Sequence, residues 1–240
     1  MKVAIFSDIH ANLEALQAVL KDADTNGCTS YACLGDVVGY NADPTACLEI
    51  VRDMGCPVVK GNHDLDCGRD TSLEQMNPVA ADALRWTRNQ LSPEQRQWLG
   101  RLRMVRQVQD FTIVHSTLDQ PTSWNYVNNK YDAMANFAFQ VSSICFYGHT
   151  HVPRVYMKNE HMQELNPGII AIEEGAKYFI NAGSVGQPRN SDWRASYCIY
   201  DINRRTIEFR QIEYDIVAAQ NKIIAAGLHP YLAKRLALGE

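Results

Sequence analysis

The sequence contains no pair of cysteines at CxxC spacing, and its seven cysteines (Cys28, Cys33, Cys47, Cys56, Cys67, Cys145 and Cys198) are odd in number and scattered. This excludes a disulfide framework and a thiolate zinc site, and leaves reduced thiols in a cytoplasmic protein as the simple expectation. Long apolar runs are also missing. Residues 3–6 are followed at once by Ser7-Asp8, too short for a signal peptide. The charge-free stretch 133–153 is broken by Asn136, Gln140, Ser142, Ser143, His149 and His151, which excludes a membrane helix. No block of like charge occurs, and 23 Lys+Arg against 27 Asp+Glu give a net charge of -4. A protein that coats nucleic acid or an anionic membrane is thereby excluded, and any phosphate recognition has to be local. Neither a Pro/Ser/Gly-rich linker nor an internal repeat interrupts the 240 residues, so one domain is expected.

What is present is a repeated rhythm. Residues 2–6 form an apolar run ending at Ser7-Asp8, and Leu13, Leu16, Val19 and Leu20 continue with helical spacing. Residues 31–34 end at Gly35-Asp36 and precede a helix after Pro44; residues 57–59 read as a third strand ending at Gly61-Asn62-His63. Such strand, loop, helix units predict a parallel sheet. Residues 79–90 and 93–102, the second begun by Ser92 as cap and Pro93, predict a helical insertion around 75–105. The strand rhythm resumes with 111–114 ending at His115, 144–147 ending at Gly148-His149-Thr150-His151, and 178–180 ending at Asn181. A hairpin over 196–200 and 206–211 and helices over 216–226 and 231–238 complete the α/β pattern.

The polar clusters follow the carboxyl ends of these runs, where an open α/β sheet places its ligand crevice. Singly they are ordinary: Asp8-Ile9-His10 is a common helix-capping pattern, Gly35-Asp36 a turn, Asn62-His63-Asp64 a structural turn, and a lone His115 a core histidine. Jointly they are not, because five of the seven histidines gather at strand ends with two aspartates and an asparagine. Carboxylate, imidazole and amide donors without thiolate favour manganese, iron or zinc. Eight candidate groups are too many for one ion and suit a pair of ions about 3.5–4 Å apart.

In order and spacing these blocks resemble the signature of the calcineurin-like metallophosphoesterases: D-x-H at Asp8 and His10, G-D at Asp36, G-N-H-[DE] at Gly61 to Asp64, H at His115 and G-H-x-H at His149 and His151. The resemblance implies a four-layer α/β/β/α sandwich and two divalent metal ions, manganese first among the candidates and iron or zinc as alternatives. It further implies that Asp8, His10 and His151 hold one ion, Asn62, His115 and His149 the other, and that Asp36 bridges them. His63 would be the non-ligand histidine that protonates the leaving oxygen. The implied reaction is hydrolysis of small phosphodiesters or phosphomonoesters by metal-bound hydroxide, without a protein nucleophile.

Departures from relatives narrow the substrate. Protein serine/threonine phosphatases carry G-D-x-V-D-R-G in the second block, whereas here Val38 is followed by Gly39-Tyr40-Asn41. The G-D-x-V-G-Y pattern is similar to small bacterial and archaeal phosphoesterases, and a small phosphorylated molecule or nucleotide is the expected partner. Where such proteins continue with Gly-Pro this chain has Asn41-Ala42, and Asn tolerates the left-handed conformation. Ser116 replaces a usual glycine and is expected to narrow the pocket. Arg189 is the candidate replacement phosphate grip. The alternative is a dinucleoside polyphosphate or cyclic nucleotide hydrolase, with Tyr40, Trp124 and Tyr126 available to stack a base. A non-catalytic scaffold of the same fold, as in the retromer subunit, is disfavoured because His63 and the ligand set are retained. Carboxylate-rich helical ligand pairs of redox dimetal proteins and a tyrosinate ligand adjoining a metal block are both wanting.

Overall fold

The computed structural model describes residues 1–240. In chain order the elements are β1 (Lys2–Phe6), α1 (Leu13–Thr25), β2 (Ser30–Cys33), α2 (Pro44–Asp53), α3 (Asn62–Gly68), α4 (Pro78–Gln90), α5 (Pro93–Arg101), β3 (Val105–Val108), β4 (Phe111–Val114), α6 (Lys130–Phe139) and β5 (Ile144–Tyr147). They continue with β6 (Arg154–Lys158), β7 (Met162–Leu165), β8 (Ile169–Ala171), β9 (Lys177–Asn181), β10 (Ala195–Asp201), β11 (Thr206–Ile212), α7 (Ile216–Ala225) and α8 (Pro230–Leu238).

Two sheets face each other. One has the order β2-β1-β10-β11-β8 and the other β3-β4-β5-β9-β6-β7. Alternation along the strands explains the layering, since successive side chains point to opposite faces. Val3 and Ile5 of β1 join Phe111, Ile113, Ile144, Phe146, Tyr178 and Ile180 between the sheets. Ala4 and Phe6 point the other way, onto Leu16 and Val19 of α1 and onto the residues buried by α7 and α8. The outer face of the second sheet buries Cys145, Tyr147, Tyr156 and Phe179 under Ala133 and Phe137 of α6. The result is the expected α/β/β/α sandwich.

Two expectations need correction. The units do not build one parallel sheet: β1 pairs parallel with β2 but antiparallel with β10, and the parallel trio β4-β5-β9 belongs to the second sheet. Residues 57–59 are not a full strand, because Val58 and Val59 make only single parallel bridges, to Cys33 and Arg103. The predicted insertion helices are present as α4 and α5, and Ser92 and Gln95 cap α5 reciprocally, at 3.2 and 2.8 Å. No helix is long and apolar enough to cross a membrane. All seven cysteines are unpaired.

A polar tie fastens α1 to the first sheet. Asp22 accepts hydrogen bonds from Arg210 Nε (2.7 Å) and Nη2 (2.9 Å) and from the Tyr197 hydroxyl (2.6 Å). Burial works to raise the Asp22 pKa, but the Arg210 and Tyr197 hydrogen bonds outweigh it and the net shift is downward. Asp22→Asn is therefore expected to cost about 1–2 kcal/mol, the scale of a partly exposed charged hydrogen bond. Because the folded-state pKa is depressed, this stabilisation is complete above the unfolded carboxyl value and is lost as pH falls through the folded one. Denaturant melts at pH 7 and pH 3 check this: the gap between the two proteins narrows in acid, and an equal gap at both pH values contradicts it.

Candidate metal centre

The functional side chains come from the carboxyl ends of both sheets. Asp8 follows β1, Asp36 follows β2, His115 follows β4, and His149 and His151 follow β5. Asn62 and His63 sit in the first turn of α3, where a loop turn was expected, because Asp64 reaches back to the Gly61 N–H (3.1 Å) and starts a helix there. All eight sequence-predicted residues other than Arg189 converge at this edge. The backbone is bent hard to present them: Asp8 (φ 53°), His10 (47°), Asp36 (53°), His149 (68°) and His151 (62°) are left-handed. Non-glycine residues hold that conformation at a cost, and clusters of them mark sites that the surrounding structure over-determines. Close approach adds a second constraint, since a Cβ at Gly61 would collide with Asp36 Oδ1 and one at Gly148 with Ser7 Oγ.

The imidazoles are oriented by backbone carbonyls. Nδ1 of His10 donates to Val38 O (3.2 Å), Nδ1 of His115 to Leu34 O (2.8 Å) and Nδ1 of His151 to Gln187 O (2.6 Å). His149 is turned round, with Nε2 donating to Trp124 O at 2.8 Å. A carbonyl only accepts, so each of these nitrogens carries the proton, and in the neutral ring the other presents a lone pair. Those lone pairs face one another: His10 Nε2 lies 3.1 Å from His151 Nε2, and His115 Nε2 lies 3.2 Å from His149 Nδ1. Two acceptors at such distances repel unless a cation or a proton joins them.

Carboxylates complete both pairs. Asp8 Oδ1 is 3.3 Å from His151 Nε2, and Asp36 Oδ2 is 3.3 Å from His115 Nε2 and 3.6 Å from His10 Nε2, so Asp36 faces both pairs. Asp8 Oδ1 and Asn62 Oδ1 are buried without any hydrogen-bond partner. Orphaned oxygens beside converging imidazole lone pairs fit divalent cations, and the mixed oxygen and nitrogen donor set without thiolate fits manganese, iron or zinc. Titration reflects the same crowding. Burial works against the charged form of His115, yet the Asp36 and Asp8 carboxylates push its pKa up to about 9. Burial and the neighbouring His115 pull His149 down to about 3.

Asp64 was not singled out as a functional residue in the sequence. Fully buried, it accepts from the N–H groups of Asp36 (2.8 Å), Val37 (2.9 Å) and Gly61 (3.1 Å), locking the second block to the third. Burial, then the Asp36 charge, pushes its pKa up to about 7. The acidic position of the G-N-H-D block was the available signal.

His63 lines a cavity of about 170 Å³ together with Asp36, Asn62, His149, His151 and Arg189. Its Nδ1 has no partner, and burial, the largest influence, lowers its pKa. Gly39 explains the missing partner: at φ 95° it runs against the ring, and a Cβ there would lie 2.6 Å from Nδ1, so no side chain can orient His63 from that position. Arg189 enters the cavity from beyond β9, held by Gln187 Oε1 at 2.9 Å. The expected base-stacking aromatics differ in fate. Tyr40 is wedged 4.7 Å from His10 and 4.5 Å from His63, and Trp124 serves through its carbonyl. Tyr126 presents a half-exposed ring stacked 4.4 Å from His149. Two smaller expectations fail. Tyr40 (φ 64°), not Asn41, is left-handed, and the Asn41 amide instead donates to His10 O at 2.7 Å. Ser116 is buried outside the cavity and does not narrow it.

A family model described as the calcineurin-like phosphoesterase superfamily domain matches residues 1–205, a span that contains the whole cluster. The chain belongs to that superfamily. It is similar to a metallophosphoesterase from Sphaerobacter thermophilus, whose crystal structure is 40% identical with a TM-score of 0.89 over 100% of this chain and 99% of that one. It is also 38% identical to an uncharacterised protein of Methanocaldococcus jannaschii, over 99% of this chain and 98% of the relative. A hypothetical protein of Pyrococcus horikoshii OT3 shares the fold at 17% identity, with a TM-score of 0.83 over 100% of this chain and 98% of that one. As a calcineurin-like protein the chain falls among phosphoester hydrolases that bind divalent metals, in keeping with its His/Asp clusters.

Proposed function

We propose that the protein is a dimetal phosphoesterase that hydrolyses small phosphodiesters or phosphomonoesters. The observation that carries this reading is the presence of two imidazole pairs with facing lone pairs, both flanked by Asp36. Asp8, His10 and His151 would hold one ion, Asn62, His115 and His149 the other, with Asp36 common to both. Bound there, two divalent cations supply Lewis acidity and a water of lowered pKa.

The chain's own residues supply the rest. His63 protonates the leaving oxygen from Nε2, the ring nitrogen turned away from Gly39. Burial disfavours its charged form and the negative charge of a bound phosphoester favours it, so its protonation is coupled to substrate binding. Arg189 grips a non-bridging oxygen. A cavity of about 170 Å³, a net charge of -4 and the lack of any run of Lys and Arg favour small substrates over a folded phosphoprotein. Unpaired thiols, six of the seven buried, support a reducing compartment such as the cytoplasm.

Dialysis against chelator tests the reading. The stripped protein is expected to lose its turnover of aryl phosphates and to regain it with manganese, and less well with magnesium, because many of the donors are imidazoles. Equal turnover with chelator and with manganese contradicts it. A second test is Arg189→Ala, expected to weaken catalytic efficiency by about 1.5–3 kcal/mol with metal content intact. Unchanged kinetics would return Arg189 to a surface role.

A further inference from the structure

The metal-edge cavity opens into a neighbour of about 260 Å³ lined by Tyr40, Asn77, Ala80, Arg189, Tyr231 and Arg235, so Tyr40, Asn77, Ala80 and Arg189 belong to both. Arg235 comes from α8, outside the residues that the family model matches. Its guanidinium carbon lies 5.9 Å from the Tyr40 ring centre and 5.4 Å from that of Tyr231, and Arg189 approaches the Tyr40 ring at 6.0 Å. Two guanidinium groups thus lie near one tyrosine whose ring centre is 4.5 Å from that of His63.

Neither arginine forms an ion pair with an Asp or Glu side chain. Arg235 Nε donates to the backbone oxygen of Glu240 (2.7 Å), Arg189 Nη2 donates to the neutral Gln187, and Arg189 Nε is buried without a partner. Burial, then the charge of Arg189, lowers the Arg235 pKa. The amino end of α4, with Asn77 as its cap, forms another wall, and its dipole adds positive potential. Glu240 offsets part of the Arg235 charge, but Arg189 has no ion-pair partner and a buried, unused Nε, so an anion reaching both arginines is favoured, and their planar donor forks match phosphoryl oxygens.

We propose that Arg235, with Arg189 shared between the two cavities, forms a second anion subsite beside the scissile one, so that preferred substrates carry a further phosphoryl group next to the one cleaved. The proposal rests on the phosphoesterase reading for what is cleaved, but the subsite is tested by binding. The probes are methylenediphosphonate, methylphosphonate and phosphonoacetate, titrated calorimetrically into the manganese-loaded full chain, its Arg235→Ala variant and its Arg235→Gln variant. Arg235→Gln removes the charge but keeps a long polar side chain, and melting curves and metal content are measured for all three proteins.

The wild-type protein is expected to prefer the diphosphonate over methylphosphonate, and that preference is expected to shrink roughly tenfold in both variants, the scale of one lost charged hydrogen bond. A preference that survives in both folded variants, or that is missing in the wild type, overturns the subsite. Equal affinity for phosphonoacetate and the diphosphonate overturns its assignment to a phosphoryl group. Aryl phosphate hydrolysis is assayed separately: its absence, with the Arg235-dependent preference present, would sink the phosphoesterase reading and leave the subsite standing.

Discussion

His63→Ala is expected to retain its full complement of metal and to lose roughly 10²-fold or more in turnover, the range for removing a general acid. The separation of effects follows from geometry. The imidazoles of His10, His115, His149 and His151 are each anchored by a carbonyl, with a lone pair aimed at the cluster. His63 lacks such an anchor, and its Nδ1 faces the bare backbone of Gly39. Substituting it removes a cavity wall and, on the function proposed above, the proton source, but not a member of the facing pairs. Asp36→Asn should behave differently. Its carboxylate faces both pairs and also accepts the His63 N–H (2.9 Å), and a neutral amide cannot balance the charge of two cations. Metal analysis beside steady-state kinetics decides the matter: metal-free His63→Ala protein, or Asp36→Asn protein with full metal, would refute this division of roles.

The second large effect is expected at Asp64, a residue with no direct part in the chemistry. Its two carboxylate oxygens take up three buried backbone N–H groups, from Asp36, Val37 and Gly61. Asp64→Ala leaves those donors without partners in a site closed to water. Each orphaned buried donor costs about 1–3 kcal/mol, so a loss of about 3–5 kcal/mol and a fall in melting temperature on the order of 10 °C are expected. Metal affinity should fall with it, because the two loops that carry Asp36 and Asn62 lose their common anchor. Calorimetric melting of the wild type and the variant checks this; a shift below about 2 °C, within the effect of an ordinary surface change, contradicts the anchoring role.

How far the sequence disclosed this architecture depends on how each element meets solvent. Elements that read as a continuous apolar run or carry one clear buried face were legible: β1, β2, β4, β5, β9, the β10–β11 hairpin, and α1, α2, α4, α5, α7 and α8. The sheet edges at β7 and β8 were not. β7 reads Met-Gln-Glu-Leu with no fully buried position, and β8 is three residues long with Ile169 mostly exposed, so neither carries the alternation that a half-buried strand imprints. β6 follows the His151 loop so closely that its apolar centre merges with the site. α6 mixes buried Ala133 and Phe137 with exposed Tyr131, Met134 and Phe139, which blurs its period. Residues 57–59 show the opposite error, an apolar run whose ladder is never completed.

The site was more legible than the fold because its residues are discontinuous in sequence but repeat one local device, an apolar strand released into a polar loop. What could not be read were the contacts between distant blocks. The Asp64 latch, the Trp124 carbonyl behind His149, and Arg235 beside Arg189 depend on how loops and helices meet in space, not on spacing along the chain.

Each of the two lone-pair clusters is expected to take a cation. Element analysis of the manganese-reconstituted, desalted protein should therefore return two manganese ions per chain. Turnover of aryl phosphates by protein holding one ion per chain, or none, would refute the dimetal site.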